Sequence, residues 1–273
     1  MDNETYEKLT AIIYRESGIV FPIEKKTLLV SRLRRRLTAL RLSTEEEYLS
    51  ALQIDRTGEE ITRLVDVVST NVTHFYREPE QFQQLREIIQ KYRAEGKREI
   101  KIWCAAASSG EEPYTIAFEV MDEIDTNSQS VRILASDICT KVLGEAVQGT
   151  YPEHLIGKVP HEIRERHMEP CDQGGIATWR VRPHITRHIM FKRLNLVKFP
   201  YPLRGGIDII FCRNVMIYFD VATRKKVVAE MGRLLAPGGF LFLSQTENLL
   251  GIDHKLERAG VSIYRKPSHG GNL

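Results

Sequence analysis

The sequence predicts a small all-α N-terminal domain followed by an α/β domain with a mostly parallel sheet and a small inserted antiparallel β-subdomain. Three observations carry this reading. From Asn3 to about Val68, apolar residues recur at three and four with no alternating run. Beyond Pro79, short β-rich runs alternate with amphipathic helices. Between Tyr151 and Asn195 that rhythm is disturbed by Pro152, Pro160, Pro170 and Gly174-Gly175, and then by alternating stretches such as Ala177 to Arg182.

In the first part Leu29, Leu33, Leu37 and Leu40 form one stripe, and Ser43 with Glu46 reads as a capping box opening a helix through Tyr48 and Leu52. In the second, largely apolar runs place strands at Ile100–Ala105, Val131–Ser136, Ile207–Cys212 and Phe240–Ser244, as expected of a sheet covered on both faces. Helices over Glu111–Ile124, Thr140–Gln148 and Ala222–Leu235 supply the crossovers. The division expected is residues 1–70 for the helical domain, 71–80 for a linker, and 81–273 for the α/β domain, with the β-subdomain at about 160–192. The tail after Lys266, rich in Ser, Gly and Asn, is expected to be mobile.

With 273 residues, 42% hydrophobic and 27% charged, the chain has enough apolar content for a sizeable core. A net charge of +3 is too slight to point to nucleic acid. Cys104, Cys139, Cys171 and Cys212 lie far apart, without CxxC or zinc-ligand spacing, so they read as reduced thiols of a cytoplasmic protein with no metal. Met1 to Arg15 lacks the basic start and apolar core of a secretory signal. Ile207–Phe219, the most apolar late stretch, is broken by Asp208, Arg213 and Asn214 and cannot span a bilayer.

The most informative segment runs from Ile100 to Ala117. A buried strand enters a loop of very small residues, Ala105, Ala106, Ala107, Ser108, Ser109 and Gly110, and then a helix with Pro113 in its first turn. Such a loop lets a ligand approach the backbone and the free N–H groups of the helix start. A G-x-G-x-x-G pattern is absent, which argues against a dinucleotide pyrophosphate. Glu111 and Glu112 are either dipole partners of the helix or, beside this loop, carboxylates that repel phosphate and attract the ammonium or sulfonium of S-adenosylmethionine. Asp137 ends the second strand, where an acid holds two ribose hydroxyls or is simply solvated. Asn214 ends a central strand beside the crevice, with a structural amide as its plain alternative. Leu235–Leu241 is a turn leading into a strand.

Four stretches in order then carry a resemblance: Ser69–Glu78 (STNVTHFYRE), Ser109–Thr115 (SGEEPYT), Ala135–Ile138 (ASDI) and Phe211–Phe219 (FCRNVMIYF). On these the chain resembles the CheR family of chemotaxis receptor methyltransferases over nearly its whole length. The resemblance implies a class I, Rossmann-like methyltransferase domain that uses S-adenosylmethionine, releases S-adenosylhomocysteine and esterifies receptor glutamate side chains during chemosensory adaptation. It implies that Asn71, Thr73, Arg77, Glu112, Asp137, Asn195, Leu196, Asn214 and Val215 line the cofactor site, beside Ala106 and Gly110 of the small-residue loop. His74 and Cys104 depart from the family pattern without touching the positions carried over, and the segment Ser244–Asn248 departs from it in a way that leaves the role of Glu247 open.

Transfer of a methyl group to an ionised carboxylate needs no general base, so the task is positioning. Arg77 is the candidate for orienting the carboxylate, against the alternative that it pairs with Glu78, Glu112 or the cofactor's own carboxylate. Tyr218, four residues beyond Asn214, is the second catalytic candidate, against a core tyrosine. Arg32, Arg35 and Arg36 share one helix face, which reads as a solvated face or, by resemblance, as the surface that meets the acidic helical region of a receptor. By the same resemblance the β-subdomain takes up a receptor's C-terminal peptide in some members. A monomer recruited to membrane receptors through protein contacts is expected. Two rivals stand beside this reading. A nucleic-acid methyltransferase is disfavoured because Val215 and Met216, not prolines, follow Asn214. A non-catalytic cofactor-binding module is disfavoured because every position carried over is present.

Overall fold

The computed structural model describes residues 1–268. Helices α1 (Asn3–Ser17), α2 (Lys26–Leu40), α3 (Glu45–Ile54) and α4 (Glu59–Val68) close on a core of Tyr6, Leu9, Ile13, Leu29, Leu33, Tyr48 and Leu64. Asp2 caps α1 by accepting from the Thr5 N–H at 2.7 Å, and Gly18 ends it with a left-handed φ of 71°. Of the leucine stripe, Leu29, Leu33 and Leu37 are buried and Leu40 is half-buried. The capping box at α3 is Thr44 with Glu47, one residue beyond the expected Ser43 with Glu46. Both pairs have the same chemistry; the burial of Tyr48, Leu49 and Leu52 fixes which one begins the helix.

The second part comprises α5 (Glu80–Ala94), β1 (Glu99–Cys104), α6 (Glu111–Glu123), β2 (Ser130–Asp137), α7 (Thr140–Gln148), β3 (Thr150–Pro152), α8 (His161–His167), β4 (Met168–Gln173), β5 (Ile176–Val181), α9 (Pro183–Thr186), β6 (Ile189–Arg193), β7 (Ile207–Phe211), α10 (Val221–Leu234), β8 (Leu235–Phe242), β9 (Glu257–Gly260) and β10 (Ile263–Arg265). Seven strands form one sheet in the order β6-β2-β1-β7-β8-β10-β9, parallel except where β10 lies antiparallel between β8 and β9. Side chains alternate between its faces. Ile100, Ile102 and Cys104 join one core with Phe82 and Phe118, whereas Trp103 and Ala105 join the other with Val227 and Met231.

Two expectations shift in register. β8 begins at Leu235 and ends at Phe242, because the Pro237-Gly238-Gly239 segment is an irregularity inside the strand and Leu235 already pairs with Ile207. The antiparallel insert is a three-stranded sheet of order β3-β5-β4, with the β4–β5 hairpin turned at Gly174-Gly175, where both φ values are positive. Its first strand starts at Thr150, and the chain after α9 rejoins the large sheet as the edge strand β6. Residues 269–273, most of the tail expected to be mobile, lie outside the described residues.

Candidate functional site

Chain order reverses across β1, which sits between β2 and β7, and the crevice at the carboxyl ends of these strands is where open α/β sheets bind ligands. There a cavity holds about 800 Å³ of open space, including its mouth. Asp137 closes it at the end of β2 and is buried. Its two carboxylate oxygens accept from the backbone N–H groups of Cys139 at 2.9 Å and Ser108 at 2.8 Å. Burial pushes the Asp137 carboxyl up, against the pull of those donors. Ser108 sits in the left-handed region at φ 48°, and its hydroxyl donates to the Asn71 carbonyl at 3.1 Å. The small-residue loop is thereby tied to the linker.

On the facing wall Glu112 is paired rather than free. Arg213, whose side chain is wholly inaccessible, donates to Glu112 at 2.7 Å, approaches Glu78 at 3.2 Å and donates to the Arg77 carbonyl at 2.5 Å. The Cys104 thiol donates to the other Glu112 oxygen at 3.2 Å. Burial pushes the Glu112 carboxyl up, opposed chiefly by the Arg213 charge. One guanidinium between two carboxylates leaves this cluster negative, and Asp137 adds to it. In the lining itself Arg77 and Arg213 stand against Glu112 and Asp137, so the formal charges balance and the two carboxylates offer places for an ammonium or sulfonium.

Asn71, Thr73, Arg77, Ala106, Glu112, Asp137, Asn195, Leu196, Asn214, Val215 and Tyr218 all line the cavity. Gly110 does not. It caps α6 at φ 101°, and a Cβ there would stand 2.6 Å from the Tyr151 hydroxyl and 3.0 Å from the Ala146 Cβ, so the glycine serves packing between α6 and α7. Arg77 donates to the Val72 carbonyl at 2.8 Å and has no carboxylate partner among the described residues. The alternative that it pairs with Glu78 or Glu112 is not realised, because Arg213 occupies both.

Arg32, Arg35 and Arg36 do not form one uniform positive face. Arg36 makes two bonds of 2.8 Å to Glu60, and Arg32 turns in to the Val68 carbonyl and, at 2.9 Å, the Thr70 hydroxyl. Arg35 is exposed and has no ion pair among the described residues. The three line a second depression with Arg63 and Lys141, which shares Ser69 and Asn71 with the first cavity.

Sequence reasoning missed Ser17 and Ile19, which bring the end of α1 to the cavity. Gly18 fits there because a Cβ would stand 2.4 Å from Val197. The junction is held by Asn195 donating to the Glu16 carbonyl at 2.6 Å, Val20 N–H to the Tyr218 carbonyl at 3.0 Å, and the Tyr14 hydroxyl to Asp220 at 2.6 Å. Nothing local in the sequence signals such contacts. Sequence reasoning also gave Arg213 no site role and left that of Glu247 open. Arg213 carried a signal, a charge inside an otherwise apolar run.

An open parallel sheet with a small-residue loop, a strand-end acid and a cavity carrying two carboxylates at its reversal point belongs to the class I S-adenosylmethionine-dependent methyltransferases. The family described as "CheR methyltransferase, SAM binding domain" matches residues 71–265, and "CheR methyltransferase, all-alpha domain" matches residues 4–69. Chemotaxis protein methyltransferase 2 of Pseudomonas aeruginosa is 35% identical over 261 residues, covering 96% of this chain and 92% of that protein. The chemotaxis protein methyltransferase of Escherichia coli K12 is 33% identical over 261 residues, covering 95% and 89%. That of Borreliella burgdorferi is 33% identical over 266 residues, covering 95% and 93%. The chain belongs to the CheR family of chemotaxis methyltransferases, and its cofactor is S-adenosylmethionine.

Proposed function

We propose that this protein methylates glutamate side-chain carboxylates of a chemotaxis receptor, giving glutamate methyl esters and S-adenosylhomocysteine. The observation that carries the reading is Arg77: a guanidinium without a carboxylate partner, on an otherwise acidic cavity that adjoins an arginine-lined depression through Ser69 and Asn71. S-adenosylmethionine supplies, when bound, a methyl group activated by its sulfonium. Asp137 is suited to the ribose hydroxyls, since each of its oxygens keeps a lone pair after its backbone bond. Glu112, Asn71, Thr73, Ala106, Asn195, Leu196, Asn214 and Val215 complete the cofactor wall. Arg77 holds the acceptor carboxylate in a two-pronged bond and fixes its line of approach. Tyr218, whose hydroxyl has no protein partner among the described residues, steadies the same carboxylate. No proton moves, because the acceptor is already an anion at neutral pH.

Arg35, Arg63 and Lys141 of the depression favour an acidic helical partner, and the outer edges of the three-stranded sheet leave backbone groups for an added receptor strand. No described helix is long and apolar enough to cross a membrane, and we place the protein in the cytoplasm, brought to receptors by these contacts. Incubation with tritiated cofactor and a cytoplasmic receptor fragment should yield a base-labile methyl ester. A base-stable product, or transfer to RNA or DNA alone, overturns the reading.

A further inference from the structure

We propose that Glu247 is a positioning residue of the transfer site. This role depends on the proposed function only for the identity of the reaction. Glu247 is 6% exposed, and among the described residues no cation lies within ion-pair distance of it. Its charge is instead matched by backbone donors: Oε2 accepts from Asn214 at 2.9 Å and Ser244 at 3.0 Å, and Oε1 from Val215 at 3.1 Å and Ile217 at 3.3 Å. Three of these donors belong to the turn between β7 and Tyr218, which is neither strand nor α-helix and cannot satisfy them itself. Asn214 is held there in the left-handed region at φ 57°, a conformation an asparagine adopts at some cost and keeps only where its surroundings fix it.

The residues of that turn are the ones the site depends on. Asn214 and Val215 face the cofactor cavity, and Tyr218 follows within one turn of 3₁₀ helix, Met216–Tyr218. Glu247 does not line the cavity. It therefore acts through the backbone of residues 214–217, setting where the Asn214 amide and the Tyr218 ring stand. Glu247 is itself braced, its N–H donating to the Ser244 carbonyl at 2.9 Å and its carbonyl accepting from the Ser262 hydroxyl at 3.2 Å. This anchors the turn to the segment just after β8 and to the residue before β10.

Glu247→Gln keeps the length and one acceptor but turns an NH₂ group toward N–H donors; Glu247→Asp keeps the charge on a shorter arm. Both are measured in the full chain, with S-adenosylhomocysteine titrated calorimetrically and kcat and KM taken on a receptor fragment. Losing a buried charged acceptor predicts affinity for S-adenosylhomocysteine about tenfold to a hundredfold weaker and a comparable fall in kcat for Glu247→Gln. Any rise in KM for the receptor is smaller than the fall in kcat, because Tyr218 alone of this turn is assigned to the acceptor, and Glu247→Asp recovers part of the losses. The proposal is overturned if Glu247→Gln binds and turns over within about twofold of the parent, or if KM for the receptor rises in step. It is equally overturned if the defect disappears on assay well below a lowered melting temperature, which marks a purely structural role. Should the parent chain methylate no receptor while Glu247→Gln still loses S-adenosylhomocysteine, the positioning role stands and the glutamate reading falls.

Discussion

Replacing Arg213 with methionine isolates the electrostatics of the cavity wall. Methionine keeps an unbranched apolar stem and removes only the guanidinium. In the native protein that group is inaccessible and sits between Glu112 at 2.7 Å and Glu78 at 3.2 Å, while it also donates to the Arg77 carbonyl. Its loss leaves a buried Glu112 carboxylate without compensation. Breaking one side of a buried pair costs about 3–5 kcal/mol. Glu112→Gln in the same background removes the stranded charge, so the double-mutant cycle should show coupling of about 1–3 kcal/mol. The sign with pH follows. Burial already pushes the Glu112 carboxyl up, and without Arg213 it rises further, so the destabilisation shrinks as acidification protonates Glu112 and is largest near neutral pH. Urea unfolding followed by circular dichroism and by the fluorescence of the buried Trp103 reads the effect. A loss below about 1 kcal/mol, or additive single and double variants, refutes the account of the wall.

Further outcomes are expected. Asp137→Ala should weaken S-adenosylhomocysteine binding about tenfold or more, while Arg77→Ala chiefly lowers kcat; equal, modest effects of both in calorimetry and turnover assays undo the division of roles. Gly110→Ala, at φ 101° and 2.6 Å from the Tyr151 hydroxyl, should cost about 1–3 kcal/mol in thermal unfolding from backbone strain before the clash is counted. His167, stacked on Phe118 and bonded to Asp122 at 2.8 Å and His184 at 3.0 Å, is held below its usual range by burial, as is His184. The native state then binds fewer protons than the unfolded chain, so this contribution to stability is whole above the ordinary histidine pKa and is lost as pH falls through the lowered native values. His167→Gln should flatten that limb; a parent curve already flat from about pH 7 to 5 counts against it.

What the sequence revealed followed local chemistry. The four central strands were legible because largely apolar runs mark a doubly covered sheet, and ten of the eleven residues expected at the cofactor cavity line it because they occupy strand ends and the linker. Gly110 stands apart from the cavity lining: a glycine at a loop–helix junction serves ligand approach and tight packing alike, and the nearness of the Tyr151 hydroxyl is not written in the local sequence. Arg36 looked like surface charge until Glu60 of another helix appeared beside it. Glu247 lies thirty or more residues from the turn it holds, as the 30–33-residue spans of its bonds to Ile217 and Asn214 attest. No periodicity encodes a bond between a side chain and a distant backbone.

The last turn of α1 closes one side of the cavity, with Asn195 bonded to the Glu16 carbonyl and Gly18 pressed against Val197. A guest seated in that chamber touches both halves of the molecule and is lost in part if they drift apart. Occupancy and cohesion of the halves are thus thermodynamically reciprocal: the methyl donor works as a removable rivet, and whatever holds the halves together in turn tightens the grip on it.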